Sequence, residues 1–100
     1  MTRQINYLEQ LDAWDPERAQ LLAAEHNISL SAAQIDILLV ARDFYNQYGF
    51  SPSMRPLCKS VAAALGIEMG RSIYLNQQFP GSPAKLVAQL GGLPKPKNCL

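Results

Sequence analysis

Helix-start and helix-stop signals recur so closely along this sequence that only short helices fit between them. Asp15-Pro16-Glu17 opens the first: an acidic N-cap, a proline whose fixed φ suits the first helical turn, then an acid at the positive end of the helix dipole. Asn27, a residue tolerant of left-handed backbone, closes that helix at about 16–26, and Ile28-Ser29-Leu30 crosses to a new cap at Ser31. Gly49 ends a second helix at about 32–48, Phe50-Ser51-Pro52-Ser53 turns a corner, and Ser53 caps a third at about 54–65. Pro56 falls in the first turn of that third helix, where its missing N–H has no partner to lose. Gly66 and Gly70 bracket a loop before a short helix at about 71–79, stopped by Pro80-Gly81; Ser82-Pro83 starts the last helix and Gly91-Gly92 ends it. This punctuation predicts a mainly α fold, a compact array of about five helices joined by corners too short to separate domains.

The apolar spacing assigns faces to these helices. In the third, Met54, Leu57, Cys58, Val61, Ala62 and Leu65 recur at helical intervals and form one core stripe, so Cys58 is expected to be a shielded, structural thiol. Leu75 and Phe79 are expected to face inward from the fourth helix, and Leu86, Val87 and Leu90 from the fifth. The second helix is apolar almost all round, from Ile35 through Tyr48, with a polar stripe only at Asp36, Asp43, Asn46 and Gln47; it is expected to be central and buried on most sides, its aromatics serving as core. Residues 1–14 lack a clear period, although Tyr7, Leu8, Leu11 and Trp14 have the spacing of a short lid. His26, near the end of the first helix, reads as a capping or surface residue.

Composition narrows the function. The apolar runs are short and interrupted, so no membrane span is expected, and the first residues carry no secretory signal, which predicts a cytoplasmic protein. Two cysteines 41 positions apart in a reducing compartment read as free thiols, and one histidine with no Cys-x-x-Cys pair argues against a metal site. The net charge of +1 hides an asymmetry: residues 1–50 hold seven acids and three bases, residues 51–100 six bases and the single acid Glu68. The second half is therefore locally cationic, and Arg55, Lys59, Arg71 and Lys85 are candidate contacts to an anionic partner. No nucleotide-binding loop, zinc-protease helix or nucleophile elbow is present, and no cofactor is implied.

What remains is the C-terminus. Leu93-Pro94-Lys95-Pro96-Lys97-Asn98-Cys99-Leu100 cannot continue a helix, because each proline lacks an N–H and biases the preceding residue to extended backbone. We expect one helical domain over 1–92 and a semi-rigid, solvated, flexible arm over 93–100, in which Pro94, Lys95, Pro96 and Lys97 support Cys99. At roughly 3.1 Å per residue such an arm carries Cys99 something like 20 Å from its root. A thiolate there is the one strong nucleophile available, and a persulfide formed on it can pass its outer sulfur to another thiol. Lys95 and Lys97 favour the thiolate and the α-carboxylate of Leu100 opposes it.

Several motifs together resemble the TusE/DsrC family: Tyr7-Leu8 and Trp14, Asp43-Phe44-Tyr45 with Tyr48-Gly49, Ser51-Pro52-Ser53-Met54-Arg55, Tyr74-Leu75 with Phe79-Pro80-Gly81, Pro83-Ala84-Lys85, and Gly92-Leu93-Pro94-Lys95-Pro96 leading to Cys99. The resemblance implies a helical array, often with a small N-terminal β-meander, and a sulfurtransferase-type persulfide relay rather than a conventional enzyme. Family members of the DsrC kind carry a second cysteine eleven residues before the penultimate one; Ala88 stands there in this chain, so the single-cysteine TusE pattern fits better. That pattern implies an upstream TusBCD-like persulfide donor, a downstream MnmA-like thiouridylase and a role in 2-thiouridine modification of tRNA, with tRNA itself touched only indirectly.

Two departures qualify the transfer. Ile73, Gln77 and Gln89 stand where many relatives have arginine, and the chain begins too close to Tyr7-Leu8 to supply the meander, which is expected to be reduced or absent. A diverged DsrC-like protein serving another sulfur partner is one alternative. A second is a helix-turn-helix nucleic-acid module built on the second and third helices, with Arg55 and Lys59 as its thin basic face. A third is an interaction protein whose arm docks in a groove without chemistry.

Overall fold

The computed structural model describes residues 6–97, and every regular element among them is helical. A 3₁₀ turn at Tyr7–Gln10 precedes α1 (Pro16–Ala24), α2 (Ala32–Tyr48), α3 (Met54–Leu65), α4 (Ser72–Gln78) and α5 (Pro83–Leu90). The five expected helices are all present, and no strand occurs among the described residues, so the meander of the resemblance is absent from them.

The ends of these helices are fixed by local chemistry. Asp15 accepts from the Arg18 amide at 2.8 Å, and Asn27 takes φ 59° to end the first helical segment. At the start of α2, Ser31 and Gln34 form a reciprocal capping box, the Ser31 hydroxyl accepting from the Gln34 amide at 3.2 Å and the Gln34 side chain accepting from the Ser31 amide at 2.8 Å. The same Gln34 side chain donates to the Gln78 carbonyl at 2.7 Å, so one residue caps α2 and ties it to the end of α4. Gln20 holds the α1–α2 corner in both directions, donating to the Leu30 carbonyl at 2.8 Å and accepting its amide at 3.0 Å. Gly49 closes α2 at φ 77°, and the Tyr7 ring rests against it so closely that a Cβ would lie 2.8 Å from Tyr7 Cε1.

The core draws one face from each helix: Ala19 and Ala23 of α1, Ile37, Leu38, Ala41 and Tyr45 of α2, Leu57 and Val61 of α3, Leu75 of α4 with Phe79 just past it, and Val87, Ala88 and Leu90 of α5. Each fully buried aliphatic or aromatic side chain contributes roughly 1.5–3 kcal/mol relative to exposure. Tyr7, Leu8, Leu11 and Trp14 pack partly buried on this core, as a lid. Cys58 is part-buried against it, and burial pushes its thiol pKa up, opposed by a backbone hydrogen bond. His26 is exposed.

Two expectations need correction. α2 is not buried on most sides: Leu39 is 44% exposed and Tyr48 56%, and Phe50 beyond the helix is 50% exposed. The helix packs chiefly against α3, α5 and the 3₁₀ turn, and leaves Leu39 and Tyr48 on an exposed flank. On that flank Phe44 meets Tyr48 at 4.6 Å and Phe50 edge-on at 5.4 Å between ring centroids, so the rings shelter one another instead of entering the core. The second correction concerns the arm, whose first residues are not wholly solvated. Leu93 is 7% exposed and Pro96 is buried, because the chain turns back along the helices after α5.

Candidate functional site at the arm root

The segment that follows α5 is held to the body by its backbone carbonyls. The amide of Leu93 donates to the Ala88 carbonyl at 2.8 Å, which reverses the chain at Gly91-Gly92 with Gly92 at φ 68°. Trp14 comes from the segment before α1 and donates its indole N–H to the Leu90 carbonyl at 2.9 Å. Arg42, from α2, donates from Nη1 to the Gly91 carbonyl at 2.6 Å and lies over the Trp14 ring at 4.5 Å. Ser51, in the α2–α3 corner and only 6% exposed, donates its hydroxyl to the Pro94 carbonyl. Three parts of the chain thus converge on carbonyls 90, 91 and 94.

Burial pushes the Arg42 pKa down, a cost offset by a charge-assisted bond to a carbonyl at the negative end of α5 and by the indole face beneath it. Gly92 is the point of tightest approach: a Cβ there would lie 2.9 Å from Trp14 Cδ1 and 3.3 Å from Arg42 Nη1. A side chain at this position would push the arm root off the pair.

The expected site residues fall into separate groups. Cys99 lies outside the described residues. Of its supports, Lys95 and Lys97 are exposed, Pro94 is exposed with its carbonyl bound by Ser51, and Pro96 is buried. Lys85 and Lys95 line one depression of about 290 Å³ together with Gln89 and Leu93, so two of the expected cations meet beside the arm. Arg55 and Lys59 are exposed on α3 and do not line it. Arg71 is paired with Glu68 at 3.1 Å across an exposed turn, a contact of little energetic weight. Ile73, Gln77 and Gln89 are all exposed, on α4 and α5. Ala88, where the second cysteine of DsrC-type relatives is expected, is fully buried.

The sequence singled out nothing at Arg42, placed Ser51 only in a corner and a motif, and used Trp14 only as part of a lid and a motif. A signal for Arg42 was present: it follows Ala41 and stands one turn after Leu38, on the core side of an apolar helix, where a cation needs a partner. The corner proposed as the turn of a helix-turn-helix is occupied, since Ser51 and Pro52 are buried and Ser51 faces the arm. Among the described residues no helix is long and apolar enough to cross a membrane, and no cluster of three metal-ligating side chains occurs.

Comparison with known proteins converges on one group. A family model described as DsrC like protein matches residues 1–100. The chain is 40% identical over 94 residues to the sulfurtransferase TusE homolog of Haemophilus influenzae, covering 94% of this chain and 86% of that protein. It is 38% identical over 94 residues to the sulfurtransferase TusE of Escherichia coli K12, with the same coverage of each. Among solved structures, the NMR structure of Allochromatium vinosum DsrC superposes with a TM-score of 0.80 at 39% identity, covering 95% of this chain and 85% of that one. The crystal structure of the oxidized gamma-subunit of the dissimilatory sulfite reductase (DsrC) from Archaeoglobus fulgidus gives 0.73 at 32% identity, covering 87% and 80%.

Proposed function

The chain belongs to the DsrC-like protein family, and on that premise we propose that it is a sulfur carrier whose working group is the thiol of Cys99. The relatives named sulfurtransferase TusE and the DsrC structures support the carrier role. The observation that carries the assignment to Cys99 is the Gly92-Leu93-Pro94-Lys95-Pro96 sequence leading to a penultimate cysteine in a chain that the family model matches throughout.

The chemistry is a transfer of sulfane sulfur without net oxidation. The Cys99 thiolate attacks the outer sulfur of a donor persulfide, a new S–S bond forms on Cys99, and the donor's S–S bond breaks with departure of its thiolate. An acceptor thiolate then repeats the step on the Cys99 persulfide. Cys58 is part-buried with a raised pKa, and the position eleven residues before Cys99 holds the buried Ala88, so neither supplies an accessible resolving thiol. Sulfur on Cys99 therefore leaves to an outside nucleophile. The single-cysteine arm favours a TusE-like relay, from a TusBCD-like donor to an MnmA-like thiouridylase in 2-thiouridine synthesis, acting in the cytoplasm; the body over 1–92 serves as scaffold for the arm over 93–100.

Incubation with a persulfide donor is expected to add one sulfur mass to the peptide around Pro94–Leu100, and a competent acceptor thiol to remove it. Cys99→Ser is expected to abolish loading with helicity unchanged. Loading and delivery at the wild-type rate by Cys99→Ser would falsify the carrier reading.

A further inference from the structure

We infer that Trp14, Arg42 and Ser51 are positioning residues: they clamp the arm root, so that Cys99 works on a short tether launched from Pro96 instead of a long one launched from Gly92. The inference uses the sulfur-carrier reading only for its purpose; the clamp itself is a statement about geometry. Side chains from three separate parts of the chain bind the carbonyls of Leu90, Gly91 and Pro94. These bonds join positions 76, 49 and 43 residues apart. None belongs to a helix ladder, and all converge on the few residues that decide where the arm points.

The arrangement commits a part-buried cation and an indole to the arm root. Arg42 is part-buried with no carboxylate among the described residues bonded to it, and its charge is directed at a backbone carbonyl. Trp14 is held on both sides, by its N–H on Leu90 and by the guanidinium over its ring. Gly92 has room for no side chain against this pair. Beyond it, burial of Leu93 and Pro96 continues the contact along the arm.

The consequence is a shorter reach. Cys99 is three residue steps beyond Pro96, a span of about 10 Å for extended backbone, roughly half that of an arm free from Leu93. Donor and acceptor must bring their sulfur to the body. The surface they meet is the one beside the arm, where Lys85, Gln89, Leu93 and Lys95 line a shared depression, and its charge suits a partner with acidic groups around its thiol.

Trp14 is the only tryptophan, so the protein carries its own donor for time-resolved energy transfer to an acceptor dye on Cys99, in a Cys58→Ala background. The wild-type arm is expected to give one narrow distribution of distances. Arg42→Met with Ser51→Ala is expected to broaden it about twofold and move it to longer distance. Gly92→Ala, which removes no bond but puts a Cβ against Trp14 and Arg42, is expected to broaden it as well. A wild-type distribution as broad as that of the double variant, with helicity retained in both, overturns the clamp. If the double variant does not fold, Gly92→Ala decides: an unchanged narrow distribution overturns the clamp and a broadened one supports it. Neither outcome bears on whether Cys99 carries sulfur, which the loading of Cys99→Ser tests separately.

Discussion

Gly49→Ala is the substitution whose cost can be divided most clearly. Gly49 sits at φ 77°, and an added Cβ would stand 2.8 Å from Tyr7 Cε1 and 3.0 Å from its Cδ1 and Cζ. Left-handed backbone costs a residue with a Cβ about 1–2 kcal/mol. The clash adds a second penalty, because the Tyr7 ring must leave its part-buried seat; about half of a full aromatic burial, roughly 1 kcal/mol, is then lost. The sum, about 2–3 kcal/mol, lowers the melting temperature by about 10–20 °C for a chain of this size. Thermal unfolding followed by circular dichroism reads the total, and Tyr7→Ala separates the parts. With the ring removed, Gly49→Ala retains only its backbone cost, so the double variant is more stable than additivity predicts by about 1 kcal/mol. A cost of Gly49→Ala that is the same with and without the ring would refute the packing of Tyr7 on this turn.

Two further outcomes follow from packing and titration. Gly70→Ala places a Cβ 2.5 Å from Ala62 Cβ and 2.6 Å from both the Ala62 nitrogen and the Cys58 oxygen; backbone of α3 cannot yield, so this variant is expected to lose roughly 3 kcal/mol or more. Gly81→Ala, at φ 94° with open space around it, is expected to cost only about 1–2 kcal/mol of backbone strain, and equal losses in the two melts would contradict the packing of Gly70. Burial raises the Cys58 pKa above its unfolded value, so its contribution to stability is fully present below the unfolded pKa and is lost as pH rises through the folded one. Native Cys58 is therefore expected to alkylate more slowly than in the unfolded chain, with its rate profile displaced to higher pH; coincident profiles would show that the thiol is not shielded.

What was legible in the sequence was mostly local. Asp15 and Arg18, Ser31 and Gln34, and the left-handed Asn27 and Gly49 act within a few residues, so their chemistry is written in adjacent letters. The stripe through Leu57 and Val61 was legible for the same reason, since one helix has one period. The apolar composition of α2 did not reveal how much of the helix its neighbours cover, and Leu39, Tyr48 and Phe50 are left exposed. At the candidate site, Cys99 was singled out by the sequence alone. The bonds of Trp14, Arg42 and Ser51 to the arm root join distant residues through side chain and carbonyl, a pairing that no local pattern encodes.

The Trp14–Leu90 bond also closes most of the chain into a single loop. Contacts between positions so far apart form late in folding, because the entropy of closing the loop must be met before they give anything back. The helices can cap themselves while the two ends are still apart, but the buried faces of α1 and α5 meet only when those ends come together. A molecule caught at that stage would have much of its helical signal, yet no fixed exit for the arm. Completion of the fold and fixing of the arm's exit are then the same final event, and secondary-structure content alone does not report it.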